Sequence, residues 1–572
     1  MRITKTSKVA AVIVGLALVA AACGDDKAKT ADTTADSTAT TTADTTVDTT
    51  VDTTPVRTPA MTVAYTLSDV AVWDDGSPIG LADFQCTTDA IINTPGSLST
   101  VGYDKIISIE NGASDKEIVV TFDSLYAPWR GLFSGLLKAA ATPDCNDVSA
   151  AFDDGITYSG TEWKIDSWSA EQLVLVPNEG YIGNRKPTNG VTRIVWVPAE
   201  DGPTLLKSGA VDFIYPQFHA GIDAELADPN VEFDTALGAS FEGFYFQSYT
   251  GPFSDPIYRT AFSMSIDRDA LYAQIYAPFA NGTPLLDCGP IAPGPYCDDA
   301  FAGGYDPEGA VTLLEDNGWT KDADGFWVSP DTGEVPDIRW MINTGNTRRE
   351  STQEYLIPVL AASGFKAHAD NCEATPCVFQ TRLPSLDYDL AMYISGVAPD
   401  PAYLTSNWRC DQIPTEANNF LGQNSQGYCN PDVDTLLAQA DAELDADARI
   451  DEIKQVLAHL AEDHAMLPLL QFPNLGARRT DRVDNAYAEL ANFRAINDYY
   501  RWTDVDGDHT IIIGAEQFPT SDCPNPITEC ANSSWFTYLV SGPSFPGMYD
   551  TTAGQEFVPS EFLTGEAVVT AL

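Results

Sequence analysis

Val70-Ala71-Val72-Trp73-Asp74-Asp75-Gly76-Ser77-Pro78-Ile79, running on into Leu81-Ala82-Asp83-Phe84, is the stretch on which the fold turns. Before it, Met61 to Ser68 alternates apolar and polar residues, as a strand with one buried face does. Asp74-Asp75-Gly76 has the chemistry of a tight turn. Leu81 to Phe84 then starts a helix, so the segment reads as strand, turn and helix.

Outward to the N-terminus, Arg2, Lys5 and Lys8 precede an apolar run from Val9 to Val19 and then Ala20-Ala21-Ala22-Cys23-Gly24. That is the pattern of a signal peptide over residues 1–22, and its apolar run is too short for a permanent membrane span. Small residues before a cysteine resemble a lipobox, which implies lipidation of Cys23. From Thr30 to Thr54 the chain is almost entirely Thr, Asp, Ala and Val. Such a tract cannot bury enough apolar surface to offset the entropy of ordering. Residues 23–59 are therefore expected to be a tether reaching on the order of 30 Å.

The remaining residues are enough for roughly three domains, and 11 Trp, 23 Tyr and 25 Phe can supply a large core. A net charge of −51 makes nucleic acid a poor partner. Ten cysteines besides Cys23 fit a compartment that permits disulfides. Close spacing pairs Cys288 with Cys297, Cys372 with Cys377, Cys410 with Cys429 and Cys523 with Cys530, and elimination leaves Cys86 with Cys145. Metal ligation is the alternative, but there is no CxxC and the histidines are scattered, so no metal and no cofactor is expected.

The Trp-Asp-Gly block resembles the "V-x-W-x-D-G-x-P" signature of the family 5 extracellular solute-binding proteins, the peptide receptors of ABC importers. Further blocks resemble that family in its own order. They are Trp163 to Trp168 with Leu173 to Tyr181, Leu205 to Asp212, Gly251 to Pro256 with Ser265 to Leu271, and Tyr305 to Trp319. Asp432 to Leu460 reads as helical, with Leu436, Leu437, Ala440, Leu444, Ile450, Ile453, Val456, Leu457 and Leu460 as core positions. Leu467 to Phe472 resembles the strand by which family members return to their first lobe.

The resemblance implies a two-lobe, periplasmic-binding-protein-like α/β fold of type II with an extra subdomain. Its divisions would be 61–164 (subdomain), 165–240 (first lobe), 241–466 (second lobe) and 467–572 (return to the first lobe). It also implies a solute held between the lobes, an ABC permease as partner and no catalysis. The family's opening strand is missing before Met61, yet Thr510 to Pro519, Asn525-Pro526 and Asn532 to Trp535 look like it. Phe557 to Leu563 resembles the step that follows. The order reads as a circular permutation with 506–572 relocated, which places Leu572 near Pro59; a C-terminal extension and a fused reading frame are the alternatives.

Peptide receptors of this family hold the ligand's amino group with an Asp in an "A-D-Y-x-[DE]-P" loop. Here Ser395 to Pro401 aligns with it, Val397 falls in the Asp position, and Asp400 serves the turn before Pro401. Matching positions make Gln247, Tyr393, Val397, Trp408, Glu516, Gln517, Phe518 and Trp535 the ligand-site candidates, a packed core position being the alternative for the aromatics. An aromatic-lined cleft suits peptides, other amphiphilic solutes or oligosaccharides. A hydrolase is the rival class, but the chain carries no G-x-S-x-G, HExxH or phosphate-cradling glycine loop. Asp504-Val505-Asp506-Gly507-Asp508 has the look of a calcium loop, but Ala515 stands at its twelfth position, so it reads as a turn.

Overall fold

In the structure, a computed structural model, residues 57–572 are described apart from 280–281, 419, 421, 488–498, 517, 519–524, 529–541 and 553–555. Strand Met61–Thr66 buries Met61, Val63 and Tyr65 on one face. Gly76 takes the turn at φ +80°, and helix Leu81–Asn93 follows. Asp83 explains why the motif holds together. Its buried carboxylate accepts the Gly80 N–H at 2.9 Å, the Trp73 indole N–H at 3.2 Å and the Ala139 N–H at 2.9 Å. One side chain thereby satisfies the helix start and fixes the tryptophan under it. Lys138 closes the turn from outside, 2.8 Å from Asp75.

This unit is the small subdomain, built on a four-stranded antiparallel sheet in the order Ile106–Asn111, Glu117–Phe122, Met61–Thr66, Val568–Ala571. Its core includes Trp73, Phe84, Trp129 and Phe133 together with Met548, Tyr549 and Phe562 from the far end of the chain. The Leu572 N–H donates to the Ala60 carbonyl at 2.8 Å. Arg57 ties the start of the described chain to this subdomain, donating to Asp123 at 2.6 Å and to the Asp104 and Ile106 carbonyls.

A ten-stranded mixed sheet forms the rest of the frame. Its order is Lys366–Ala369, Asp337–Met341, Leu390–Gly396, Val231–Phe246, Met466–Arg479, Phe213–Ile214, Thr510–Ala515, Arg193–Pro198, Leu173–Pro177, Trp163–Trp168. Two long strands at its centre, Val231–Phe246 and Met466–Arg479, pair antiparallel and carry the sheet from one lobe to the other. Their register shifts between Pro468 and Leu470 and between Gln471 and Pro473, local bends where the lobes join. The expected boundary at 240/241 therefore falls inside a strand, and that at 164/165 inside Trp163–Trp168. Thr510–Ala515 lies in the first lobe's interior, parallel to both neighbours, with Ile511, Ile513 and Ala515 buried.

Disulfides join Cys86 to Cys145, Cys288 to Cys297, Cys372 to Cys377 and Cys410 to Cys429; Cys523 and Cys530 lie outside the described residues, as does Cys23. One expectation needs correction. The helical stretch Asp432 to Leu460 forms as two helices, Pro431–Ala442 and Ala446–Glu462, and Asp445 caps the second by accepting the Ala448 N–H at 3.0 Å. Leu444 falls in the break and is 41% exposed, so it is no core residue.

Candidate ligand site

Loops at the carboxyl ends of parallel strands are where open α/β sheets place their ligands, and both lobes present such ends to one another here. In the first lobe Phe213–Ile214 and Thr510–Ala515 run parallel, and the residues beyond them include Gln217 and Glu516. The Gln217 amide donates to Glu516 at 2.5 Å. In the second lobe Asp337–Met341 runs parallel to Lys366–Ala369 and Leu390–Gly396 and leads to Asn343 and Asn346. The Asn346 amide donates to the Gln217 carbonyl oxygen at 2.6 Å, a hydrogen bond from lobe to lobe. Asn346 also caps helix Thr347–Ser363, its own oxygen accepting the Arg349 N–H at 3.1 Å. The cap fixes the amide that reaches across.

Beneath this bridge lies a buried charge cluster. Glu242 sits in a strand of aromatic neighbours and is fully enclosed. It accepts from Arg348 at 2.8 and 2.9 Å, from Arg349 at 2.7 Å and from the Tyr276 hydroxyl at 3.2 Å. Burial alone would raise its carboxyl, but the two guanidinium groups outweigh that and hold it down at about 2. Arg348 also donates to the Phe218 carbonyl at 2.5 Å and stacks 4.5 Å over the Phe472 ring, and Arg349 donates to Asn343. One glutamate cannot balance two arginines. Beside it, burial pushes the Glu516 carboxyl above its ordinary range, while its hydrogen bonds with Gln217 and the attraction of the two arginines pull against the rise.

Of the described residues among those expected at the site, Glu516 alone joins this cluster. Phe518 is half-buried against the first-lobe core, and Gln517 and Trp535 lie outside the described residues. Tyr393 stacks on Tyr245 with ring centroids 4.0 Å apart and receives a hydrogen bond from Gln426 at 3.0 Å. Val397 and Trp408 are packed into the second-lobe core with it, 7% and 2% exposed. Gln247 is engaged on both sides of its amide, accepting the Tyr249 and Thr250 N–H groups and donating to the Leu386 carbonyl, so it holds a turn. Asp400 accepts the Ala402 N–H as a turn residue does, and also takes both arms of Arg449 at 2.7 and 2.6 Å.

Gln217, Asn343, Asn346, Glu242, Arg348 and Arg349 were not among the sequence candidates. A single carboxylate between Phe241 and Phe244-Tyr245-Phe246 was a usable signal, since a charge in such a strand must find partners. The acidic turn at Asp504 folds on itself, its carboxylate accepting the Gly507 N–H at 2.9 Å and the His509 N–H at 3.2 Å, and Asp506 lies 3.6 Å from Arg482. Among the described residues no helix is long and apolar enough to cross a membrane.

Two α/β lobes joined by a pair of long strands, with polar side chains meeting between them, define a two-lobe solute receptor. The profile of "Bacterial extracellular solute-binding proteins, family 5 Middle" matches residues 53–414, and the chain belongs to that family. It is a solute-binding protein of the ABC importer class. It is similar to the oligopeptide-binding protein OppA of Mycobacterium tuberculosis and Mycobacterium bovis, 28% identical over 448 residues that cover 75% of this chain and 71% of theirs. Among solved structures it is similar to AppA from Bacillus subtilis in complex with a nonapeptide, with a TM-score of 0.65, 16% identity and coverage of 77% and 87%. NikZ from Campylobacter jejuni in complex with Ni(L-His) gives a TM-score of 0.66, 17% identity and coverage of 78% and 88%. These two carry very different ligands on one fold, so the fold alone does not choose a solute.

Proposed function

We propose that this chain is a lipid-anchored, extracytoplasmic receptor that captures peptides or similar small solutes between its lobes and delivers them to a membrane permease. The observation that carries the reading is the Gln217–Asn346 hydrogen bond, supported from below by Glu516 and the Glu242–arginine cluster. Polar groups that meet only when the lobes are together favour the closed form, and a solute bound among them shifts the population further toward it. Val397 in place of the amine-holding Asp, with Asp400 committed to Arg449, argues for solutes without a free amino end at that point. A thermal-shift screen of free peptides, end-blocked peptides and oligosaccharides tests this. End-blocked peptides or neutral solutes should stabilise by about 2.7 kcal/mol at a hundred times Kd. Micromolar binding of dipeptides to pentapeptides with free amino ends contradicts the reading of Val397.

The order of the chain fits a circular permutation, with 506–572 standing where family members begin. In support, Thr510–Ala515 fills an interior place in the first-lobe sheet, and Val568–Ala571 pairs antiparallel with Met61–Thr66, Ala571 opposite Met61. A lipid on Cys23 would then hold the receptor through Arg57 and the small subdomain.

A further inference from the structure

A second contact joins the small subdomain to the second lobe, and none of its residues belongs to the polar cluster above. The Gln423 amide donates to the Leu98 carbonyl at 3.2 Å, and the Ser99 and Ser406 hydroxyls face one another at 3.4 Å. Helix Pro431–Ala442 lies against the short helical turn Ala127–Gly131. Asp441, in the last turn of that helix, is 6% exposed. Its hydrogen-bond donor is the Thr405 hydroxyl at 2.9 Å. In the second lobe the charge of Arg449, whose guanidinium is held by Asp400, acts on it, and Lys105 and Tyr126 of the small subdomain lie within electrostatic reach. A carboxylate enclosed without a cation of its own is costly, and protonation is its readiest relief.

We propose that the small subdomain and the second lobe close on one another along this seam, and that closing buries Asp441 and so couples closure to uptake of a proton. Burial pushes the Asp441 carboxyl up to about 6 against the Thr405 hydrogen bond and the attraction of Arg449; Asp400 adds to the rise and Lys105 opposes it. When the seam opens, water returns and the group falls back to about 3.9, the ordinary aspartate value. Between those two values only the closed form holds the proton. Closure therefore gains as pH falls through about 6, and the gain is gone above it. The closed-to-open ratio should rise about tenfold between pH 7.5 and pH 5. The proposal rests on the receptor reading in that closure retains a solute, but its test needs none.

Nitroxide labels on cysteines placed at Ile92 and Leu444, 37% and 41% exposed, report the distance between the two bodies by double electron–electron resonance on the full chain. The ratio of short- to long-distance populations should rise about tenfold, as above, from pH 7.5 to pH 5. In Asp441→Asn it should dominate at both pH values. Thr405→Val, which removes the one bond favouring the charged carboxylate, should move the midpoint to higher pH and serves alone if the asparagine variant does not fold. Distances that ignore pH, a pH response that survives Asp441→Asn, or an unmoved midpoint in Thr405→Val overturns the proposal. A protein that binds solutes yet shows no such response refutes the seam and leaves the receptor reading standing.

Discussion

Replacing Glu242 by Gln keeps the volume of the side chain but strands two arginines in the interior, Arg348 1% and Arg349 4% exposed at the side chain. Removing one member of a buried ion pair costs about 3–5 kcal/mol, because the charge left behind has lost both water and partner. The depressed carboxyl of Glu242 gives the same size. A glutamate whose carboxyl lies at about 2 when folded, against 4.5 ordinarily, contributes about 3 kcal/mol. That contribution is complete above pH 4.5 and is lost as pH falls toward 2. An unfolding entropy of about 2.1 cal/mol/K per residue over roughly 500 residues is about 1 kcal/mol per degree, so Tm should fall by about 4 °C. Differential scanning calorimetry at pH 7 reads it. The triple change Glu242→Leu, Arg348→Met, Arg349→Met should recover much of the loss, since an apolar set needs no compensation. A fall in Tm below about 1 °C for Glu242→Gln would refute the reasoning on the same entropy scale.

Three other outcomes are expected. Removing the Cys86–Cys145 disulfide, which spans 59 residues, should cost about 4 kcal/mol in chemical denaturation, whereas removing Cys372–Cys377, spanning 5, should cost less. A chain in which Leu572 is joined to Met61 and new ends are opened near Asp504 should fold with an unchanged circular dichroism spectrum; failure of that chain while the native order folds counts against the permutation. Cys23→Ser should move the protein from the membrane fraction to the soluble one, and retention in the membrane would remove the lipid anchor from the account.

Much of the frame was legible because local chemistry repeats along it. The alternation of Met61 to Ser68, the turn glycine at 76 and the acidic residue three places into the helix each have one physical reading, and the strand, turn and helix stand where they indicate. Asp445 shows the limit of periodicity. Apolar spacing ran on through Leu444, but the first helix closes at Glu443 and Asp445 caps the start of a second. The site was less legible, because its residues meet only through the sheet. Gln217 and Glu516 lie 299 residues apart, and Gln217 and Asn346 lie 129 apart. Glu516 was singled out because it follows a recognisable strand, and its side chain lies beside Gln217. Trp408 and Gln247 were singled out by position, yet one is core and the other holds a turn, since an aromatic or an amide carries no mark of whether it faces solvent, core or solute.

The most direct test of a solute held between the lobes is native mass spectrometry of the full chain purified from cell extract, beside a Gln217→Ala, Asn346→Ala variant. The native chain should carry a small solute that is released on denaturation, and the variant, folded to the same circular dichroism spectrum, should carry it at less than about a tenth of the occupancy, the loss expected from about 1.4 kcal/mol at the site. Equal occupancy in the two would place the solute elsewhere and contradict the account.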